Sequence, residues 1–173
     1  MGNTVGSQNK TSLHLSKNQI AFIAGFLEGD GCISAKITPT SGSYRVRVVI
    51  SFTQKTINKI ILEHVQKFLG GKVEDYPSKN LSELAIYDRK RVSLILQLIE
   101  PFLVSKKKQA QLAMQIIAIL DRSKRGKLRD SEELLEAVKL AEEIRLLNSS
   151  RKNKTIHTFE KVYKRLKKRG FIS

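Results

Sequence analysis

Apolar positions along this chain recur with two periods, and the switches between them mark out its elements. After Ser16, a side chain suited to cap a helix, Ile20, Ile23, Ala24 and Leu27 follow helical spacing until Gly29-Asp30-Gly31 ends the run. Cys32–Thr40 and Tyr44–Thr53 then alternate with period two around Ser41-Gly42-Ser43, which predicts a hairpin. The helical period returns over Gln54–Leu69, with Ile57, Ile60, Ile61, Val65 and Phe68 on one side and Gly70-Gly71 closing it. Lys72–Tyr76 and Glu83–Tyr87 predict a second, shorter hairpin around Pro77-Ser78-Lys79-Asn80. Arg91–Ile99 reads as helix, Pro101 interrupts it, and Lys106–Leu120, Ser131–Leu147 and Thr155–Arg169 read as three more. Strands paired by hairpins and interleaved with helices predict an α+β domain, an antiparallel sheet covered by helices on one face. The expected division is a polar arm over 1–16, a core over 17–148 and a basic helical extension over 149–173.

Composition narrows the class. A chain of 173 residues with 40% hydrophobic content fits one domain with a real core. The single cysteine, Cys32, excludes an intrachain disulfide and favours a reducing compartment. The apolar stretch Ala21–Leu27 is far shorter than the roughly 20 residues of a membrane span, and the polar first sixteen residues hold no signal core. No membrane partner and no secretion are therefore expected. The formal charge of +16 is uneven. Arg145–Ser173 holds ten basic residues against Glu160 alone, and Arg122, Lys124, Arg125, Lys127 and Arg129 form a second cluster. Such a distribution suits phosphate neutralisation, so nucleic acid is the expected partner.

Two features carry candidate chemistry. One face of the first hairpin gathers Ile33, Ala35, Ile37, Val46, Val48, Ile50 and Phe52. The other carries Ser34, Lys36, Thr38, Thr40, Arg45, Arg47, Ser51 and Thr53, with Val49 intruding. A two-stranded ribbon fits the major groove, where Arg and Lys bond guanine and Ser or Thr bond several base edges. The ordinary solvent face of a sheet has the same pattern, so both readings stand. Asp30 breaks a local rule, since an acid at a helix C-terminus is unfavourable by roughly 0.3–1 kcal/mol. Gly25 and Gly29, four apart, would let a second helix approach and bring two such carboxylates together around a divalent cation. A Gly-Asp-Gly turn is the competing reading.

Ile23-Ala24-Gly25-Phe26-Leu27-Glu28-Gly29-Asp30-Gly31 resembles the LAGLIDADG motif of homing endonucleases, present here in one copy. Thr53-Gln54-Lys55-Thr56, Pro101-Phe102-Leu103 with Lys106-Lys107-Lys108-Gln109-Ala110, and Leu147-Asn148 extend the resemblance to single-motif, intron-encoded members. It covers roughly residues 17–155. The resemblance implies the family's αββαββα fold with a saddle-shaped sheet, acting as a homodimer whose motif helices meet through Gly25 and Gly29. It implies a site-specific endonuclease that recognises a long pseudo-palindromic double-stranded DNA target and hydrolyses one phosphodiester in each strand, promoting intron mobility. Implied metal ligands are Asp30 and the Gly29 carbonyl, holding Mg²⁺ as two or three ions per dimer. Asp30, Gln54 and Lys106 take the catalytic positions, Gln54 orienting solvent and Lys106 tuning the water network. Predicted DNA-binding residues are Lys36, Thr38, Thr40, Arg45, Arg47, Ser51, Glu74, Tyr76 and Glu83. Members of this kind work in a prokaryotic cytoplasm or in an organelle.

Glu28 stands where the family often has Asp and receives little weight, and Asn58 replaces a basic residue of close relatives. Cys32 reads as packing, and His14, His64 and His157 lack ligand spacing. Two rival functions remain on this fold. One is a maturase that binds intron RNA; the other is a DNA-binding regulator without metal chemistry, which intact Asp30, Gln54 and Lys106 disfavour.

Overall fold

The structure is a computed structural model that describes residues 13–41, 43–122, 131–148, 157–170 and 172. Helix α1 spans Lys17–Asp30 and begins with a reciprocal cap. The Ser16 hydroxyl accepts from the Gln19 amide at 3.2 Å, and the Gln19 side chain accepts from the Ser16 amide at 2.8 Å. Strands β1 (Gly31–Pro39) and β2 (Tyr44–Lys55) form the long hairpin, β3 (Lys72–Tyr76) and β4 (Leu81–Ile86) the short one. All four pair antiparallel in the order β1-β2-β4-β3. Helix α2 (Lys59–Leu69) lies between the hairpins, and α3 (Arg89–Ile99), α4 (Lys107–Arg122), α5 (Ser131–Asn148) and α6 (Phe159–Lys168) follow.

The helices cover one face of the sheet. Ile33, Ile50, Phe52, Leu84 and Ile86 point into a common core with Ile23 and Leu27 of α1, Leu62 of α2, and Ile95 and Leu96 of α3. Phe26 of α1 stacks on Phe52 with ring centroids 5.1 Å apart. Strand β1 is a sheet edge, and edges leave backbone groups unpaired. Here α5 packs along it, and the Asn148 side-chain amide donates to the Ile33 carbonyl at 2.7 Å. Helix α6 adds Val162 and Leu166 to the same core.

The junction from α1 into β1 requires glycine at Gly31. A Cβ there would lie 2.7 Å from the Leu27 Cα and 2.8 Å from its carbonyl oxygen, because the strand leaves directly over the last helical turn. Several boundaries differ from the sequence expectation, with β4 at Leu81–Ile86 instead of Glu83–Tyr87, and one of the differences bears on the site. The helix expected from Gln54 begins at Lys59, after a 3₁₀ turn over Thr56–Asn58, and β2 runs on through Gln54 and Lys55. The cause is pairing: β4 starts at Leu81, so Gln54 and Lys55 find partners in Ser82 and Leu81. Most of the arm, the 123–130 cluster and the basic residues at 151–154 lie outside the described residues.

Candidate active site and nucleic-acid interface

Two sequence-predicted side chains meet where α1 ends, and a third reaches the same last turn. Asp30 is the last residue of α1, exposed, and its Oδ2 accepts from the Gln54 side-chain amide at 2.8 Å. The extension of β2 is what carries Gln54 there. Lys106, just before α4, donates its ammonium to the Glu28 carbonyl on the same last turn. Asp30, Gln54 and Lys106 therefore come from a helix end, a strand end and a loop, and converge on one small region.

The last turn of α1 has no basic side chain, so the negative end of the helix dipole and the Asp30 carboxylate are not offset within the helix. An exposed carboxylate beside last-turn carbonyls is a hard oxygen donor set that fits a divalent cation. Among the described residues, no group of three or more His, Cys, Asp or Glu side chains could hold a metal ion. On this helix end the chain offers a single exposed carboxylate, Asp30.

Glu28 has a larger part than the sequence indicated. Its Oε1 accepts from the Val104 amide at 2.8 Å and the Lys106 amide at 3.1 Å; its Oε2 accepts from the Ser105 amide at 3.2 Å and from the Ser105 hydroxyl. Partial burial pushes its carboxyl up, but these hydrogen bonds together outweigh that and hold it below the usual carboxylate range.

The outer side of α1 is apolar and has no partner among the described residues of the chain. Ala21, Phe22, Gly25 and Gly29 are exposed, and a Cβ on either glycine would meet no atom within 4 Å. Phe102 and Val104, 48% and 85% exposed, lie on the segment that packs beside α1. A helix apolar on both sides is one that is buried on both sides.

The second sheet face is open, and register orders it. Residues directly opposed in an antiparallel pair share a face. Going along β2, the rows are Thr38–Arg45, Lys36–Arg47, Ser34–Val49, then Cys32–Ser51–Ala85–Lys72, Thr53–Glu83–Glu74 and Lys55–Leu81–Tyr76. Eight of the predicted DNA-binding residues stand on this face: Lys36, Thr38, Arg45, Arg47, Ser51, Glu74, Tyr76 and Glu83. Thr40 lies past the end of β1, where its hydroxyl accepts from the Ser43 amide at 3.1 Å as part of the turn. Ser51, Val49 and Ala85 are buried, so the middle of the face is low. One end is basic, and the other is mixed.

At the mixed end the directly opposed Glu74 and Glu83 both accept from the Tyr76 hydroxyl, at 3.4 and 3.3 Å, while Lys72 pairs with Glu74 at 2.6 Å. The Glu83 charge is the largest of the effects that push the Tyr76 phenol up, keeping it a donor. Lys55 and Lys72 were missed as members of this face. Continued alternation, Ser51-Thr53-Lys55 and Lys72-Glu74-Tyr76, was the signal. Tyr87, with its ring 5.6 Å from the Lys36 ammonium, was also missed.

Known DNA endonucleases share this arrangement of helix, long hairpin and sheet. The LAGLIDADG endonuclease family model matches residues 23–118, and the chain belongs to that family. It is 32% identical to DNA endonuclease I-CvuI of Chlorella vulgaris over 157 residues, 89% of this chain and 93% of that protein. It is 31% identical to DNA endonuclease I-CreI of Chlamydomonas reinhardtii over 144 residues, 81% of this chain and 85% of that one. The crystal structure of I-CvuI in complex with the I-CreI target, in the presence of 2 mM Mg and with the DNA not cleaved, superposes with a TM-score of 0.81 at 34% identity, covering 91% of this chain and 98% of that one. Like I-CvuI and I-CreI, the protein is a homing DNA endonuclease that cleaves long DNA targets.

Proposed function

We propose that two copies of this chain join through α1 and cut both strands of a pseudo-palindromic duplex with a divalent cation, Mg²⁺, at the joined helix ends. The observation that carries this reading is the convergence of Asp30, Gln54 and Lys106 at the end of a helix whose outer side is exposed and apolar. Isologous pairing through that side puts the two Asp30 carboxylates beside one another, and protein symmetry is then mirrored in the two half-sites. A divalent ion held by Asp30 and the Gly29 carbonyl supplies Lewis-acid charge at the scissile phosphate. Gln54 fixes Asp30 with its Nε2 and offers its Oε1 to align the attacking water. The Lys106 ammonium spends one donor on the Glu28 carbonyl and turns its remaining charge toward the leaving oxygen.

Each open sheet face reads a half-site. Arg45, Arg47 and Lys36 suit guanine O6 and N7, whereas Glu74 and Glu83 suit the amino donors of cytosine. Basic α6 extends the phosphate-binding surface. Selection of bound duplexes from a randomised library, followed by incubation with Mg²⁺ or EDTA, tests this reading. The expected product is a pseudo-palindromic site, cut in both strands with Mg²⁺ and bound but intact in EDTA. An asymmetric site, or cutting in EDTA, contradicts it.

A further inference from the structure

We infer that Glu28 is a positioning residue, which holds the 104–106 loop so that the Lys106 ammonium stays fixed at the end of α1. The inference rests on the reading that Lys106 serves the cleavage chemistry. Glu28 and Asp30 are two residues apart on α1, about 200° around a helix of 3.6 residues per turn, so they address opposite sides. Asp30 meets β2 through Gln54, and Glu28 meets the loop that leads into α4. Three successive backbone N–H groups, of Val104, Ser105 and Lys106, converge on the one Glu28 carboxylate, and the Ser105 hydroxyl adds a fourth donor.

This is an anion-binding concavity whose anion belongs to the protein itself, set at the start of α4, where the helix dipole also favours negative charge. Lys106 is held at both ends by one residue: its amide goes to the Glu28 carboxylate and its ammonium to the Glu28 carbonyl. A lysine side chain has many rotamers to lose when it is fixed, so an ammonium on an untethered loop would sample many positions. Catalysis by a positioned charge is sensitive to displacements of about 1 Å.

A double-mutant cycle separates positioning from a merely structural cap. Glu28→Gln keeps the length of the side chain but removes its charge and turns an amide toward the N–H groups. Single-turnover cleavage at saturating DNA is measured for Glu28→Gln, Lys106→Met and the double variant, together with DNA affinity and thermal unfolding. Glu28→Gln is expected to slow cleavage about 10–100-fold with DNA affinity changed less than about twofold. In the Lys106→Met background the same change should cost less than about twofold. Equal losses in both backgrounds, or a loss carried by DNA affinity alone, overturns the positioning role while leaving Lys106 catalytic. No loss from Lys106→Met overturns the reading of Lys106, and the positioning role falls with it. Ser105→Ala removes a single donor and carries the same cycle should Glu28→Gln fail to fold; its smaller loss must likewise vanish in the Lys106→Met background.

Discussion

Asp30 is unfavourable at the helix end it occupies, which fits the metal-binding role proposed for it. The carboxylate lies against the negative end of α1, and the Gln54 amide is its one hydrogen-bond donor among the described residues. It was legible in sequence because it stands at the last acid of the motif the chain resembles; the broken propensity rule alone left a turn as the competing reading. Glu28 was not legible, because its partners lie 76 to 78 residues away along the chain and are mostly backbone amides, which carry no sequence signature. Base reading also belongs to single side chains. Arg47 stands exposed opposite Lys36 on the open face. Arg47→Ala should cost about 1–3 kcal/mol of discrimination at one position in each half-site, measured by competition binding against single-base variants. A uniform loss across all variants would reassign Arg47 to phosphate contact.

Helix α1 is apolar on two sides, one packed in the core and one exposed. Ile23, Ala24 and Leu27 are buried against the sheet and α3, while Ala21, Phe22 and Gly25 stay exposed. Gly25→Arg adds a side chain where nothing in the protomer obstructs it and removes a helix-interior glycine that costs about 1 kcal/mol. It should leave folding intact, shift sedimentation to the monomer and abolish double-strand cleavage. A Gly25→Arg protein that still sediments as a dimer and cuts would remove α1 from the interface. The strands show the opposite relation to sequence. Period two placed both hairpins correctly, but the end of β2 was lost to an apparent helical period, because pairing with β4 overrides local spacing at Gln54 and Lys55. That error mattered, since the longer strand is what delivers Gln54 to Asp30.

The whole molecule combines a charge of +16 with a reading face that is not uniformly basic. In the proposed reading, general attraction to phosphate therefore falls to surfaces such as α6 and selection of bases to the sheet. Lys167 and Lys168, both exposed in the last turn of α6, test the division. Replacing both with Ala should weaken binding to every duplex alike and reduce the slope of log K against log salt by about 2, with base preference unchanged. A changed preference would place α6 in the reading surface. On the same proposed reading the reaction depends on Asp30 from each of two protomers. Asp30→Asn is the most direct measurement, because Asn keeps the shape and can still accept from Gln54 while losing the charge. The variant should bind the selected duplex within about twofold of the unaltered protein and lose at least ~10³-fold in Mg²⁺-dependent cleavage, as several kcal/mol of charge stabilisation disappears. Cleavage that persists in Mg²⁺, or binding that fails together with cleavage, would contradict a metal site built on Asp30.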